Sequence, residues 1–217
     1  MKFTQKMVAF AALIVMIISS GCSVSRDQMA KEYDRLAALP PVPVNHCPYD
    51  QALNSLGIAV SQHYNFAHKL MKEFVGATEN RREYLGFMNE IEYLVKEEKM
   101  EEPAAMAKVV KEIQENDAKI KDPKEKVWPR VVEGIVATNA LAPEKKLAEA
   151  APVAAATTRA IADCRKLKDS FRGLDATTAA KAVCAAKIIK QGTDASECLA
   201  FLTIQFQRTI KAKYYVK

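Results

Sequence analysis

Along most of this chain apolar residues recur at alternating steps of three and four. The clearest run lies between Asp50 and Val75, where Leu53, Leu56, Val60, His63, Ala67, Leu70 and Phe74 keep that spacing. At 3.6 residues per turn these positions share one helix face. Gly76 can end this helix and Thr78 can cap the next, whose stripe is Tyr84 or Leu85, Met88, Ile91 and Val95. Pro103 suits the first turn of a further helix, since its missing N–H was unpaired there anyway. Met106, Val109, Val110 and Ile113 form its buried side, with Ile120 a possible continuation. Asp122 and Glu125 have capping-box spacing around Pro123. They introduce a segment with Val127, Trp128, Val131 and Ile135, expected to kink at Pro129.

From Pro143 the chain turns alanine-rich and reads as one long helix with a kink at Pro152. Gly173 suits the left-handed position after a helix, and Asp175 suits the next cap. Ala179, Val183 and Ile188 then mark a helix ended by Gly192. Asp194 with Glu197 opens the last one, with Leu199, Leu202, Phe206 and Ile210 as its stripe. A short helix precedes all of these. Ser25 and Gln28 have capping-box spacing, and Met29, Tyr33 and Leu36 follow at helical steps. It stops at Pro40, Pro41 and Pro43, which favour an extended backbone. That stretch is read either as a semi-rigid spacer or as a strap lying on the domain, and Cys47 directly after it suits the strap. No period-2 alternation or Asn-Gly turn signals a strand. The fold class expected is all-α, an irregular bundle of about seven helices joined by short loops, with neighbours antiparallel.

The first residues break this pattern. Lys2 and Lys6 precede Met7 to Ile18, a run without a polar side chain, and no acid occurs before Asp27. A basic start, an apolar middle and small residues at the end make a secretory signal. As a helix the apolar run covers roughly 18 Å, against about 30 Å of bilayer hydrocarbon, so it is too short for a span. It ends Ser19-Ser20-Gly21-Cys22. This end resembles the lipobox of bacterial lipoproteins, with Ser19 where that family prefers leucine. The resemblance implies cleavage before Cys22, a diacylglycerol on its thiol and an acyl group on the new amine. Ser23, rather than aspartate, implies the outer membrane. Two or more acyl chains make a firm anchor where one binds only marginally. The organisation expected is a signal peptide over 1–21, an anchored segment with a short helix and proline stretch over 22–48, and a bundle over 49–217.

Removing Lys2 and Lys6 from the 32 basic residues leaves 30 against 26 acidic ones, with the signs interspersed. Stretches such as "VKEEKMEE" read as solvated helix faces, and no concentrated basic patch suggests nucleic acid. With Cys22 lipidated, Cys47, Cys164, Cys184 and Cys198 remain, an even number in an oxidising compartment. Cys164 and Cys184 flank the turn at Gly173 almost symmetrically, and Cys184 and Cys198 flank Gly192 in the same way. In an up-down-up trio all three would share one height, leaving one for Cys47. The preferred pairing is Cys184–Cys198 with Cys47–Cys164. Zinc held by these thiolates and His46 is the weaker reading, because the spacing is scattered and no CxxC occurs.

No HExxH, GxSxG, phosphate-binding loop or dinucleotide glycine motif is present. No catalytic residue, metal or cofactor is therefore expected. His63 lies on an apolar stripe and His68, about 140° away around the helix, is expected to be exposed. Tyr49, Tyr64, Tyr84 and Tyr93 read more readily as rim residues of the bundle than as a pocket lining. Glu90 with Glu97 and Glu101 with Glu102 read as solvated carboxylates. The C-terminal "IKAKYYVK" resembles the end of Braun-type lipoproteins, whose terminal lysine is joined to peptidoglycan. It implies Lys217 as an attachment point, although Val216 stands where a basic residue belongs. The function expected is that of a lipid-anchored, non-enzymatic envelope accessory that docks a protein partner. The alternatives are a module holding a small apolar ligand, or a peptidoglycan tether.

Overall fold

The computed structural model describes residues 28–173 and 175–216. Cys22, Ser23 and Lys217 lie outside the described residues. Seven α-helices, and no strand, occur among those described: α1 (Gln28–Ala37), α2 (Gln51–Thr78), α3 (Arg82–Lys96), α4 (Glu102–Asp117), α5 (Trp128–Asn139), α6 (Pro143–Ser170) and α7 (Ala176–Ala212). Short 3₁₀ turns at Pro123–Glu125 and Lys213–Tyr215 complete the order. The fold is all-α, as the periodicity predicts.

The helix starts follow local chemistry. The Asp50 carboxylate accepts from the Leu53 N–H at 3.0 Å, and the Asp175 carboxylate accepts from the Thr178 N–H at 2.9 Å. Each satisfies one of the orphan donors of a helix N-terminus. Gly173 sits at φ +117° in the turn between α6 and α7, as a residue after a helix end should. Pro129 falls in the first turn of α5 rather than kinking it, since a proline there forfeits no intrahelical bond. Asp122 caps only the 3₁₀ turn, through the Lys124 N–H. The start of α5 is served from a distance instead. Asp117, at the end of α4, accepts from the Val127 and Trp128 N–H groups at 2.9 and 2.7 Å. Asp117→Ala removes both acceptors and is expected to cost about 1–2 kcal/mol in urea unfolding, with Asp117→Asn costing less.

Helix boundaries differ from the sequence reading at Gly76, which α2 runs through, at Thr78 and at Gly192. Gly192 does not end a helix, and α7 runs unbroken through it. The glycine is there for close approach: a Cβ at 192 would lie 2.6 Å from Ile161 Cγ1 on α6. Thr78 likewise closes α2 rather than capping α3. Its hydroxyl bonds back to the Phe74 carbonyl at 2.8 Å and pairs with the Tyr33 hydroxyl at 3.1 Å. Val183, expected on an apolar stripe, is 71% exposed.

The long helices α2, α6 and α7 pack along one another. The register of α6 and α7 is antiparallel about Gly173, with Cys164 Sγ 3.5 Å from the Ala185 carbonyl. The main core joins Leu36 of α1, Phe74 of α2, Ile91 of α3, Met106 of α4, Ile135 of α5 and Leu202 of α7. Phe74 meets Tyr33, Phe201 and Phe206 edge-to-face, an arrangement aromatic pairs favour. A smaller core of Leu53, Val60, Cys164, Ala185 and Ile188 fills the opposite end, around Cys47.

The proline stretch lies on the bundle as a strap. The Asn65 side-chain amide brackets Val42, accepting from its N–H at 3.2 Å and donating to its carbonyl at 3.0 Å. Tyr64 donates to the Pro40 carbonyl at 2.8 Å. The buried Asn45 donates its backbone N–H to Ser61 Oγ at 3.0 Å and its side-chain amide to Gln191 Oε1. α1 is buried in the main core through Met29, Tyr33 and Leu36, and Cys47 in the smaller one.

Candidate functional site

Cys47 is bonded to Cys184, a bridge that spans 137 residues and fastens the strap to α7. Cys164 and Cys198 are free and buried. This replaces the expected Cys184–Cys198 and Cys47–Cys164 pairs, and the reason is the continuity of α7. With no turn at Gly192, Cys184 and Cys198 stand fourteen residues apart on one helix, about 21 Å, where a disulfide needs Cα atoms within ~7 Å. Cys164 packs in the same small core as the bridge. Burial pushes the Cys164 thiol up and the Cys198 thiol to about 12. Neither is suited to act as a thiolate nucleophile.

The other candidate residues do not converge. His46 is exposed beside Cys47. His63 is half-buried, its Nδ1 3.1 Å from the Thr157 hydroxyl, and burial lowers its pKa. His68 is half-buried rather than exposed. Its ring lies parallel to that of Tyr64, and its pKa is lowered by burial and then by Lys72. Tyr49 is 56% exposed, whereas Tyr84, expected at the rim, is fully buried. Its hydroxyl meets Thr209 at 2.8 Å, and burial carries its pKa to about 12. Among the described residues no group of three or more acidic, cysteine or histidine side chains is arranged to hold a metal ion.

A cluster that periodicity did not reveal lies where α3, α4 and α7 meet. The Arg208 guanidinium, almost wholly buried, pairs through Nη1 with Glu92 and through Nε with Glu102 at 3.5 Å. Lys96 meets the other Glu92 oxygen at 2.5 Å, and Lys211 meets Glu102 at 2.5 Å. These are charge contacts more than aligned hydrogen bonds, since Nε and Nη1 make none of good geometry. Burial works against ionisation of Glu92, but Arg208 and Lys96 outweigh it and hold the pKa below the usual carboxylate range. Glu102, read as solvated from sequence, is therefore a link in a clamp across three helices.

The described surface also carries an open cleft of about 310 Å³ between α3, α4 and the start of α5. Its floor is apolar, made by Phe87, Val109, Ile113 and Val127, with Phe87 braced edge-on by Trp128. Its ionisable lining is entirely carboxylate: Glu83, Glu90 and Glu112. Arg130 pairs with Glu83 at 2.6 Å and holds that carboxyl below its usual range.

No protein-family model, curated protein or solved structure matches this chain. Among the described residues, no helix is long and apolar enough to cross a membrane.

The cleft combines an apolar floor, three carboxylates and the amide of Asn116. That set can bind through burial and charge. It brings together no nucleophile–base pair of the kind acyl or phosphoryl transfer uses.

Proposed function

We propose that this chain is a lipid-anchored envelope protein that works as a non-enzymatic interaction or assembly accessory. The lipobox-like Ser19-Ser20-Gly21-Cys22 supports the anchor, and Ser23 supports the periplasmic face of the outer membrane. The observation that carries the docking role is the open, apolar-floored cleft on α3, α4 and α5. It lies on a scaffold fastened by the strap, the disulfide and the buried ion pairs. A rigid platform with an open groove serves recognition, because little ordering entropy is lost on its side when a partner docks.

The anchor and the platform are close. Five residues, Ser23 to Asp27, lie between Cys22 and Gln28, the first described residue of α1, and the six Cα–Cα steps from Cys22 to Gln28 span at most about 20 Å. The bundle is therefore held at the bilayer surface rather than on a long tether, and a partner must meet it there.

Cys22→Ala tests the anchor. The unmodified chain is expected to incorporate radioactive palmitate, lose residues 1–21 and fractionate with outer membranes. The variant is expected to remain unlabelled and uncut. Wild-type protein recovered unlabelled, with Met1 to Gly21 still attached, would overturn this reading.

A further inference from the structure

We infer that the C-terminal end of α7 makes a second contact with the membrane, Lys213 and Tyr214 resting in the headgroup layer of the bilayer that holds the anchor. The inference rests on the lipid anchor proposed above and adds an orientation to it.

The course of α1 fixes where the anchor leaves the bundle. Met29 Sδ lies 3.6 Å from the Gln205 side-chain amide, the Tyr33 and Phe201 ring centroids are 6.4 Å apart, and Arg35 meets Glu197 at 2.8 Å. As α1 advances, its partners on α7 recede, so the two helices are antiparallel. The N-terminus of α1 therefore points the same way as the C-terminus of α7. The strap continues toward the other end, past Gln191 at Asn45 and on to Cys184 at Cys47. The stretch from Gln28 back to Cys22 thus leaves at the C-terminal end of α7, and it spans at most about 20 Å. Tyr214 lies nine residues beyond Gln205, about 14 Å along the helix. The anchor and the tip of α7 share one end of the molecule.

The surface at that tip suits a bilayer interface. Tyr214 is 80% exposed, the most exposed of the large apolar side chains described. Tyr215 and Val216 pack against the main core and hold the 3₁₀ turn Lys213–Tyr215 in place. Lys213 is exposed and makes no ion pair with a described residue, whereas Lys211 is committed to Glu102. A tyrosine ring has an apolar body and a hydroxyl that reaches water, so it settles at headgroup depth. A lysine beside it is drawn to anionic headgroups. Two other exposed apolar side chains, Tyr49 and Val183, lie at the disulfide end. Val183 is twenty-two residues from Gln205, about 33 Å along α7 and farther than the linker reaches. One tyrosine and one lysine bind a bilayer weakly on their own. The anchor makes the encounter intramolecular, at an effective concentration that lets a weak contact persist. The bundle then rises from the membrane with its disulfide end outermost.

The test is nitroxide depth in the full lipidated chain, reconstituted in vesicles of phosphatidylethanolamine and phosphatidylglycerol. Tyr214→Cys and Ala179→Cys each add one accessible thiol, since Cys164 and Cys198 are buried and Cys47 is bonded to Cys184. The two labels are about 50 Å apart along α7. The label at 214 is expected to be relaxed several-fold more by oxygen, which enters lipid, and several-fold less by an aqueous nickel chelate than the label at 179. Lys213→Glu should move the 214 label toward water, with the urea midpoint close to that of the wild type. Equal accessibilities at 214 and 179 in a lipidated chain, or a deeper label at 179, would overturn the contact and leave the anchor standing. A label at 214 shielded from both oxygen and nickel would also overturn it, because protein rather than lipid would then cover the tip. A chain recovered without lipid would remove the anchor, and this inference with it.

Discussion

The double variant Cys47→Ser/Cys184→Ser is expected to lose about 5 kcal/mol of unfolding free energy, the largest effect of any exchange in this chain. The magnitude follows from the 137-residue separation of the two cysteines, which in the chain-entropy model removes that much freedom from the unfolded state. The local structure adds a second consequence. The strap holds by hydrogen bonds with Asn65, Tyr64 and Ser61 of α2, and a disulfide fastens it at the Cys47 end. Amide exchange in residues 40–47 should rise in the variant more than in α2 or α7. Urea midpoints check the global term: wild type under reductant should fall to the variant's value, and the variant should not respond to reductant. Peptide mapping of the oxidised protein should recover Cys47 joined to Cys184, with Cys164 and Cys198 alkylated only after unfolding. A Cys184–Cys198 peptide would refute the continuous α7.

That continuity marks the limit of what could be read from sequence. The helical class, the stripe of α2, the cap at Asp175 and the turn at Gly173 were all legible. Each depends on residues close in sequence, and the chemistry of a cap or a turn is local. Gly192 was misread because its local signal is ambiguous. A glycine followed by Asp194 and Glu197 looks like one helix ending and another beginning, and the same glycine serves a close helix crossing. The difference lay in phase. Ile188, Ala195, Leu199, Leu202 and Phe206, all buried, keep one unbroken face across position 192, which a true turn would reset. The disulfide error followed from this one, since the symmetry argument needed a turn that is not there.

The clamp and the cleft were less legible for a different reason. Glu92, Glu102 and Arg208 come from three helices, and nothing near any of them in sequence marks a buried charge. Glu92 stands between Ile91 and Tyr93, and Arg208 between Gln207 and Thr209, as surface charges on amphipathic helices do. A cleft is likewise a property of three helices meeting.

Arg208→Met is expected to cost about 3–5 kcal/mol, because it leaves Glu92 buried without its guanidinium. Lys96 keeps its contact with Glu92 and places the loss toward the lower end of that range. The acid limb gives a sharper test. Arg208 and Lys96 hold the folded Glu92 carboxyl below the usual carboxylate range. The group therefore contributes stability that is present above about pH 4.5 and is lost as pH falls through the lower folded value. Without Arg208, burial pushes the Glu92 pKa upward, so the variant should begin losing stability at a higher pH than the wild type. Glu92→Leu combined with Arg208→Met removes both buried charges and should recover much of the single variant's loss, since apolar replacements of a buried pair are often neutral or stabilising. A double-mutant cycle over these chains measures the coupling directly. Additive losses, with no shift of the acid limb in Arg208→Met, would mean that the two side chains do not act as a pair and that the clamp across α3, α4 and α7 contributes nothing to holding the platform.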